Sequence, residues 1–381
     1  MSTVATKYSR TPYLVVQRDT VARKDVYGSI GDNVVLHAQL MRGAEDSDTV
    51  VVAMHPIGSP GYLPMFSGLA RAGLHVIASD TRYGNGDDAL LMENVLLDLG
   101  AVIRDAKQRL GYQRVLLAGW SGGGSLMMGY QGEAEQPRIT QTAAGEYTAL
   151  ADTELVPADA VMILAAHRSR HYLLTDFLDP SITDESRPGD RDPRLNIYDP
   201  ANPDQPPYSA EFLTRYRAAQ VARNRRITAY AKAKLDELSA DAEHCFVVHG
   251  TMADPRWVDL SVDPNDRAPG SYLGDPRLVN DGPSALARFT TTRSWLSQWS
   301  LDDAQVDGVE AAKRVSVPVL ILENSADNAC PPQHPRAIYA AIPHEDKEFA
   351  IVDGANHYYS GQREHLDSAL NQVARWVREH Q

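Results

Sequence analysis

Ser121 lies in the run Arg114-Val115-Leu116-Leu117-Ala118-Gly119-Trp120-Ser121-Gly122-Gly123-Gly124, where an apolar stretch of strand length ends in Gly-x-Ser-x-Gly. A serine hydroxyl is a weak nucleophile until a base takes its proton and an acid orients that base. A strand that turns sharply into a helix pushes such a hydroxyl out above the sheet. The turn needs small neighbours, here Gly119 and Gly123. The pattern is built from common residue types and recurs by chance, so its partners decide its meaning. Asp327 sits in Ser325-Ala326-Asp327-Asn328-Ala329-Cys330-Pro331, a few residues past the apolar run Val319–Leu322. His357 sits in Asp353-Gly354-Ala355-Asn356-His357-Tyr358-Tyr359, just past Phe349–Val352. The weaker rivals are Ser125 within the following helix, the acids Glu323 and Asp353, and His334 and His344, which read as surface histidines.

Alternating strands and helices must position these groups. Val50–Met54, Leu74–Ala78, Val115–Ala118 and Ala160–Ala166 read as buried strands, with helical spacing in Leu63–Arg71 and Met92–Leu110. Val21–Tyr27 and Val34–Leu40 flank a turn-rich stretch and read as a hairpin. The alternation lapses from 167 to 312. Ser186–Pro207 reads there as a loop, and Ser209–Leu238 as a long basic helix or two joined ones. It resumes with Val319–Leu322, the helix Pro335–Ala341, the strand Phe349–Val352 and the helix Glu364–Glu379. The expected class is α/β: a mostly parallel sheet with helices on both faces. Residues 1–166 and 313–381 form its core, and 167–312 are a largely helical inserted cap. Ligands of such sheets bind beyond the carboxyl ends of the strands, where Ser121, Asp327 and His357 all fall.

The strand–Gly-x-Ser-x-Gly–helix, the Ser-Ala-Asp-x-x-x-Pro segment and the Asp-Gly-Ala-x-His segment, in the order Ser, Asp, His, resemble the signature positions of the α/β-hydrolase superfamily. The resemblance covers the two core halves and not the insertion. It implies Ser121 as nucleophile, His357 as base and Asp327 as the acid that orients it. An oxyanion would be held by the N–H of Gly122 and by a second N–H from the loop Met54–Gly61. Relatives commonly carry His-Gly-x in that loop, and this chain has His55-Pro56-Ile57. Proline has no N–H, so Ile57 is the donor by matching position and Gly58 the next choice. The implied activity is serine hydrolysis of a carboxylic ester, or a related acyl bond, in a small to medium organic molecule. It passes through an acyl-enzyme and needs no metal or organic cofactor. The same triad serves acyltransferases and carbon–carbon bond hydrolases, and a non-catalytic ligand-binding protein can share the fold.

Composition narrows the partners. The chain has 381 residues, 43 % of them hydrophobic, with 37 basic against 50 acidic side chains and a net charge of −13. A nucleic-acid binder needs a basic footprint, so that class is disfavoured. Two cysteines, Cys245 and Cys330, imply no disulfide framework and fit a cytoplasmic protein. No apolar run of about 18 residues predicts a membrane span. The expected partner is a small-molecule substrate, with homo-oligomer formation left open. Trp120, Tyr358, Arg168 and Trp295 are the candidate substrate contacts. Arg168 follows a core strand and could meet an acidic group. Trp295, with Trp257 and Trp299, lines a pocket or forms the insertion's own core. His167 and His171 have metal-ligand spacing, but no acidic partner completes a set, so no metal site is expected. The arginines of Arg215–Arg226 read as a solvated face or an ion-pair network.

Overall fold

The computed structural model describes residues 7–19, 32–84 and 86–381. Ten strands are present among them: β1 (Ser9–Arg18), β2 (Asn33–Arg42), β3 (Thr49–Met54), β4 (Val76–Ser79), β5 (Arg114–Trp120), β6 (Ala160–Leu164), β7 (Cys245–Val247), β8 (Phe289–Thr291), β9 (Val319–Asn324) and β10 (Lys347–Val352). Eight of them form one sheet in the order β1-β2-β4-β3-β5-β6-β9-β10. β2 runs antiparallel to both its neighbours, and the other pairings are parallel. The expected strand Val21–Tyr27 lies outside the described residues, and the observed partner of β2 is Ser9–Arg18.

Every residue of β3, β4, β6 and β9 is buried, as continuous apolar runs require in a sheet covered on both faces. Alternate residues serve opposite faces. Val50, Val52, Val115, Leu117, Val161 and Ile163 pack with the helices Met92–Gln108 and Gly122–Glu135. Val51, Ala53, Leu116, Ala118, Met162 and Leu164 pack on the other side with the helices Pro64–Arg71 and Arg363–Glu379. Burying one such side chain stabilises the fold by about 1.5–3 kcal/mol, so the two cores fix the register in which the strand ends line up.

Between β6 and β9 the chain leaves the sheet. It forms the helices Arg170–Phe177 and Ala210–Glu237, the antiparallel pair β7/β8, and apolar clusters of its own. Ala210–Glu237 is one helix of 28 residues, begun by Ser209, whose side chain accepts the Phe212 N–H. Its arginines are ion-paired and not merely solvated: Arg215 with Asp204, Arg217 with Asp254, Arg225 with Asp302 and Arg226 with Glu185. Arg223 has no exposed surface at all. No helix of the described residues is long and apolar enough to cross a membrane.

The tightest packing lies where β5 turns into the next helix. A Cβ at position 119 would fall 2.1 Å from the Gly123 carbonyl oxygen, and one at 124 would fall 2.3 Å from the Ala166 Cβ. Gly119→Ala is therefore expected to destabilise the fold by about 1–3 kcal/mol. Gly189→Ala, where a Cβ would meet nothing within 4 Å, should change stability by less than about 0.5 kcal/mol. Urea midpoints of the two variants check this, and equal midpoints would contradict it.

Candidate active site

Ser121 stands at the head of the helix Gly122–Glu135 with φ 53° and ψ −119°, a left-handed φ that non-glycine residues seldom adopt. Its N–H donates to the Leu164 carbonyl at 3.1 Å, and its own carbonyl accepts the Gly124 N–H at 3.1 Å. The turn is thereby pinned to the end of β6. The hydroxyl lies 3.9 Å from the Cys330 sulfur and makes no hydrogen bond to His357 in this structure.

Asp327 and His357 come together from loops beyond β9 and β10. His357 donates its Nδ1–H to Asp327 Oδ2 at 2.8 Å, and both residues are buried. The other oxygen, Oδ1, accepts the N–H groups of Ala329 at 2.7 Å and Cys330 at 2.8 Å. A proton held on Nδ1 leaves Nε2 as the basic nitrogen. Edge contacts with Trp120 (centroids 5.9 Å apart) and Tyr358 (4.6 Å) fix the imidazole plane, and Tyr272 packs at 6.2 Å. Asp327, Cys330 and His357 each bring one ligand-type atom within 4.8 Å of the others. The Cys330 thiol thus borders both Ser121 and the Asp–His pair, a placement the disulfide count alone does not announce. The only sequence signal is its spacing, three residues after Asp327, which lets its N–H reach the carboxylate.

The loop after β3 lies opposite. Thr81 Oγ1 donates to the Pro56 carbonyl at 2.9 Å. His55 Nδ1 is 2.5 Å from the Ile57 carbonyl oxygen, a contact that places its proton on that nitrogen. Burial pushes His55 down to about 4, with the Ile57 hydrogen bond opposing, so the ring is neutral near pH 7. The Ile57 N–H is 3.3 Å from the same Nδ1. A protonated Nδ1 is no acceptor, so this N–H remains free for another one. Gly58 follows with φ 68°, and a Cβ there would meet nothing within 4 Å. A Cβ on Gly122 would lie 2.9 Å from His55 Nε2 and 3.4 Å from His167 Nε2, so two imidazoles press on the residue after the serine. Neither histidine stands out in the sequence as part of the site.

Ser121 opens onto a cavity of about 420 Å³ lined by His55, Ile57, Tyr62, Leu63, Trp120 and Tyr358, among others. Trp120 and Tyr358 therefore face the space their sequence positions suggest. Arg168 and Trp295 do not line it. Arg168 donates Nε and Nη2 to Asp307 Oδ2 at 3.1 and 2.6 Å and stacks on Tyr172. An arginine so paired has little left to offer a ligand. Trp295 is fully buried in an apolar cluster with Leu174, Ile227 and Trp299 and donates Nε1 to Thr228 Oγ1 at 2.9 Å. His171 faces Asp307 at 3.7 Å while His167 faces Gly122, so the two do not share a metal. His334, read as a surface residue, is buried.

Burial gives the site a pH dependence. It lowers His55 to about 4, and it lowers His334 to about 3, where the charges of Arg168 and Arg256 add to the effect. His167 and His171 are lowered too, again mainly by burial. The unfolded chain then binds more protons than the folded one below about pH 6.5, so stability falls as pH drops from there toward 4. Asp176 acts in the opposite sense. Burial raises it to about 6, so it favours the folded state as pH falls from 6 toward 3.8. Its carboxyl is 28 % exposed, and it is one group against four. The unfolding free energy from urea titrations should fall between pH 7 and pH 5, by up to about 1.4 kcal/mol per pH unit for each histidine. The fall should be shallower in His334→Gln, and a pH-independent midpoint would contradict the assignment.

No protein-family model matches the chain, and no curated protein matches it in sequence. Solved structures do resemble it. Est1E from Butyrivibrio proteoclasticus is 14 % identical, over 91 % of this chain and 95 % of that one, with a TM-score of 0.47. The Paleococcus ferrophilus monoacylglycerol lipase is 16 % identical, over 91 % and 99 %, with a TM-score of 0.48. The α/β hydrolase GrgF from Penicillium sp. sh18 is 12 % identical, over 98 % and 99 %, with a TM-score of 0.49. The stronger statement comes from the chain itself. Its eight strands run in the order 1-2-4-3-5-6 followed by two further parallel strands, its second strand is reversed, and a serine turn follows its fifth. By this architecture the chain has the α/β-hydrolase fold.

Proposed function

We propose that this protein is a serine hydrolase that cleaves a carboxylic ester, or a closely related acyl bond, of a small to medium organic molecule. The observation that carries the reading is the buried His357–Asp327 pair, set beside a strained Ser121 that opens onto a cavity. A serine needed only for packing has no reason to sit at φ 53° between glycines that admit no side chain.

In this reading the Ser121 hydroxyl rotates from Cys330 toward His357 Nε2, which takes its proton as Oγ attacks the carbonyl carbon. Asp327 stabilises the imidazolium without taking a proton itself. The oxyanion accepts from the Gly122 N–H and from an N–H of the Ile57–Gly58 segment. His357 then protonates the departing alkoxide. Water, deprotonated by the same nitrogen, cleaves the acyl-enzyme and restores Ser121. Residues 167–312 act as a cap: Trp257 Nε1 donates to the Asn328 carbonyl at 2.8 Å, and Asn265 Nδ2 to the Asp327 carbonyl at 2.9 Å. Both contacts hold the loop that carries the acid.

A fluorophosphonate should label wild-type protein at Ser121 and leave Ser121→Ala unlabelled. Asp327→Asn should lower kcat on a p-nitrophenyl ester by about 10³–10⁴-fold. Failure of the wild type to label, or an Asp327→Asn variant as fast as wild type, would contradict the proposal.

A further inference from the structure

His55 is tied down at one ring nitrogen and open at the other. Its Nδ1 lies 2.5 Å from the Ile57 carbonyl oxygen. A carbonyl can only accept, so Nδ1 carries the proton, and in the neutral ring Nε2 is a lone-pair acceptor. Burial keeps the ring neutral near pH 7. Nε2 has no hydrogen-bond partner among the described residues, and it is not closed off from solvent either. His75 shows the contrast. A histidine that only holds the fold together uses both nitrogens, there with the Tyr112 hydroxyl at 2.8 Å and the Glu45 carbonyl at 2.9 Å.

The open nitrogen stands beside the reacting centre. His55 and Ser121 line the same cavity. A Cβ on Gly122 would lie 2.9 Å from Nε2, so glycine at 122 leaves that nitrogen uncovered. Backbone geometry puts such a Cβ about 2.5 Å from the Gly122 nitrogen. Nε2 is therefore within about 5.5 Å of the N–H assigned to the oxyanion. One donor and one acceptor thus stand close together next to the serine. With the scissile carbonyl oxygen on the Gly122 N–H, the Nε2 lone pair is within reach of a substituent on the next carbon of the acyl chain. The described residues lining the cavity include no aspartate, glutamate, lysine or arginine. An ammonium substituent would find no anion there, and a carboxylate no cation. A hydroxyl is neutral and needs only an acceptor.

We infer that His55 Nε2 accepts a hydrogen bond from a hydroxyl on the carbon next to the scissile carbonyl, and that the preferred esters are those of 2-hydroxy acids. The inference rests on the serine-hydrolase reading. His55 then sets specificity and takes no proton during the reaction. An acyl chain without the hydroxyl displaces water from Nε2 and returns nothing for it, which is the source of the discrimination.

The test compares phenyl glycolate, phenyl methoxyacetate and phenyl acetate, each corrected for its uncatalysed rate. The methoxy oxygen withdraws electrons as the hydroxyl does but has no proton to donate, so the first two esters separate hydrogen bonding from reactivity. Wild type should favour glycolate over methoxyacetate, and over acetate, in kcat/KM by about tenfold or more. In His55→Asn the side-chain amide can still donate to the Ile57 carbonyl, while no atom replaces Nε2. Gly122→Ala leaves Nε2 in place and covers it with a methyl group. Both variants should bring the glycolate-to-methoxyacetate ratio toward one. Each ratio is taken within one protein, so a general loss of rate does not enter it. A wild-type ratio near one, or a preference that survives in either variant, would overturn the inference and leave the hydrolase reading standing. No turnover of any of the three esters, together with no fluorophosphonate labelling, would instead overturn the hydrolase reading.

Discussion

The backbone crossing after β5 is the constraint on which the rest of the molecule depends. Gly119 and Gly123 approach so closely that a methyl group at 119 would collide with a carbonyl oxygen, and one at 123 would lie 2.6 Å from the Met54 carbonyl oxygen. Only this crossing lets a helix begin immediately beyond a central strand. It also forces Ser121 into a left-handed φ and turns its side chain toward the cavity. The strain is sustained by the packed sheet faces on either side and by hydrogen bonds to β6 and within the turn. A site assembled in this way is rigid at the serine and adjustable elsewhere, since Asp327 and His357 arrive on loops after later strands.

The electrostatics around that crossing are unusual in their number of buried bases. His55 and His167 border Gly122, His357 borders the Cys330 that touches Ser121, and His334 interacts with His167. Three of them are held neutral mainly by loss of solvent. Only His357 is given a carboxylate partner at hydrogen-bond distance. The division is physically sensible. A histidine that must accept and return a proton needs a fixed anion behind it, while a neutral imidazole such as His55, which lines the cavity, does not compete for that proton.

Much of this was legible in the sequence, for identifiable reasons. Parallel strands buried on both faces write continuous apolar runs, so β3, β5, β6 and β9 were found within a few residues of their ends. Ser121, Asp327 and His357 could be named because each follows such a run. The strand Ser9–Arg18 went unread, because it is an exposed edge strand with little apolar pattern to mark it. Arg168 and Trp295 looked like substrate contacts. What decides their roles is which partner long-range packing supplies: Asp307 for Arg168 and Thr228 for Trp295. Local spacing carries no trace of those distances. The same holds for Cys330, whose neighbour Ser121 is 209 residues away in sequence.

The central claim is that Ser121 carries the acyl group during turnover. Rapid acid quench of the wild-type protein mixed with a p-nitrophenyl ester, followed by peptide mass mapping, tests it most directly. The account predicts the added acyl mass on the peptide containing Ser121, appearing with the first burst of p-nitrophenol. Turnover with no acyl mass on that peptide, or with the mass on the Cys330 sulfur 3.9 Å away, would contradict it.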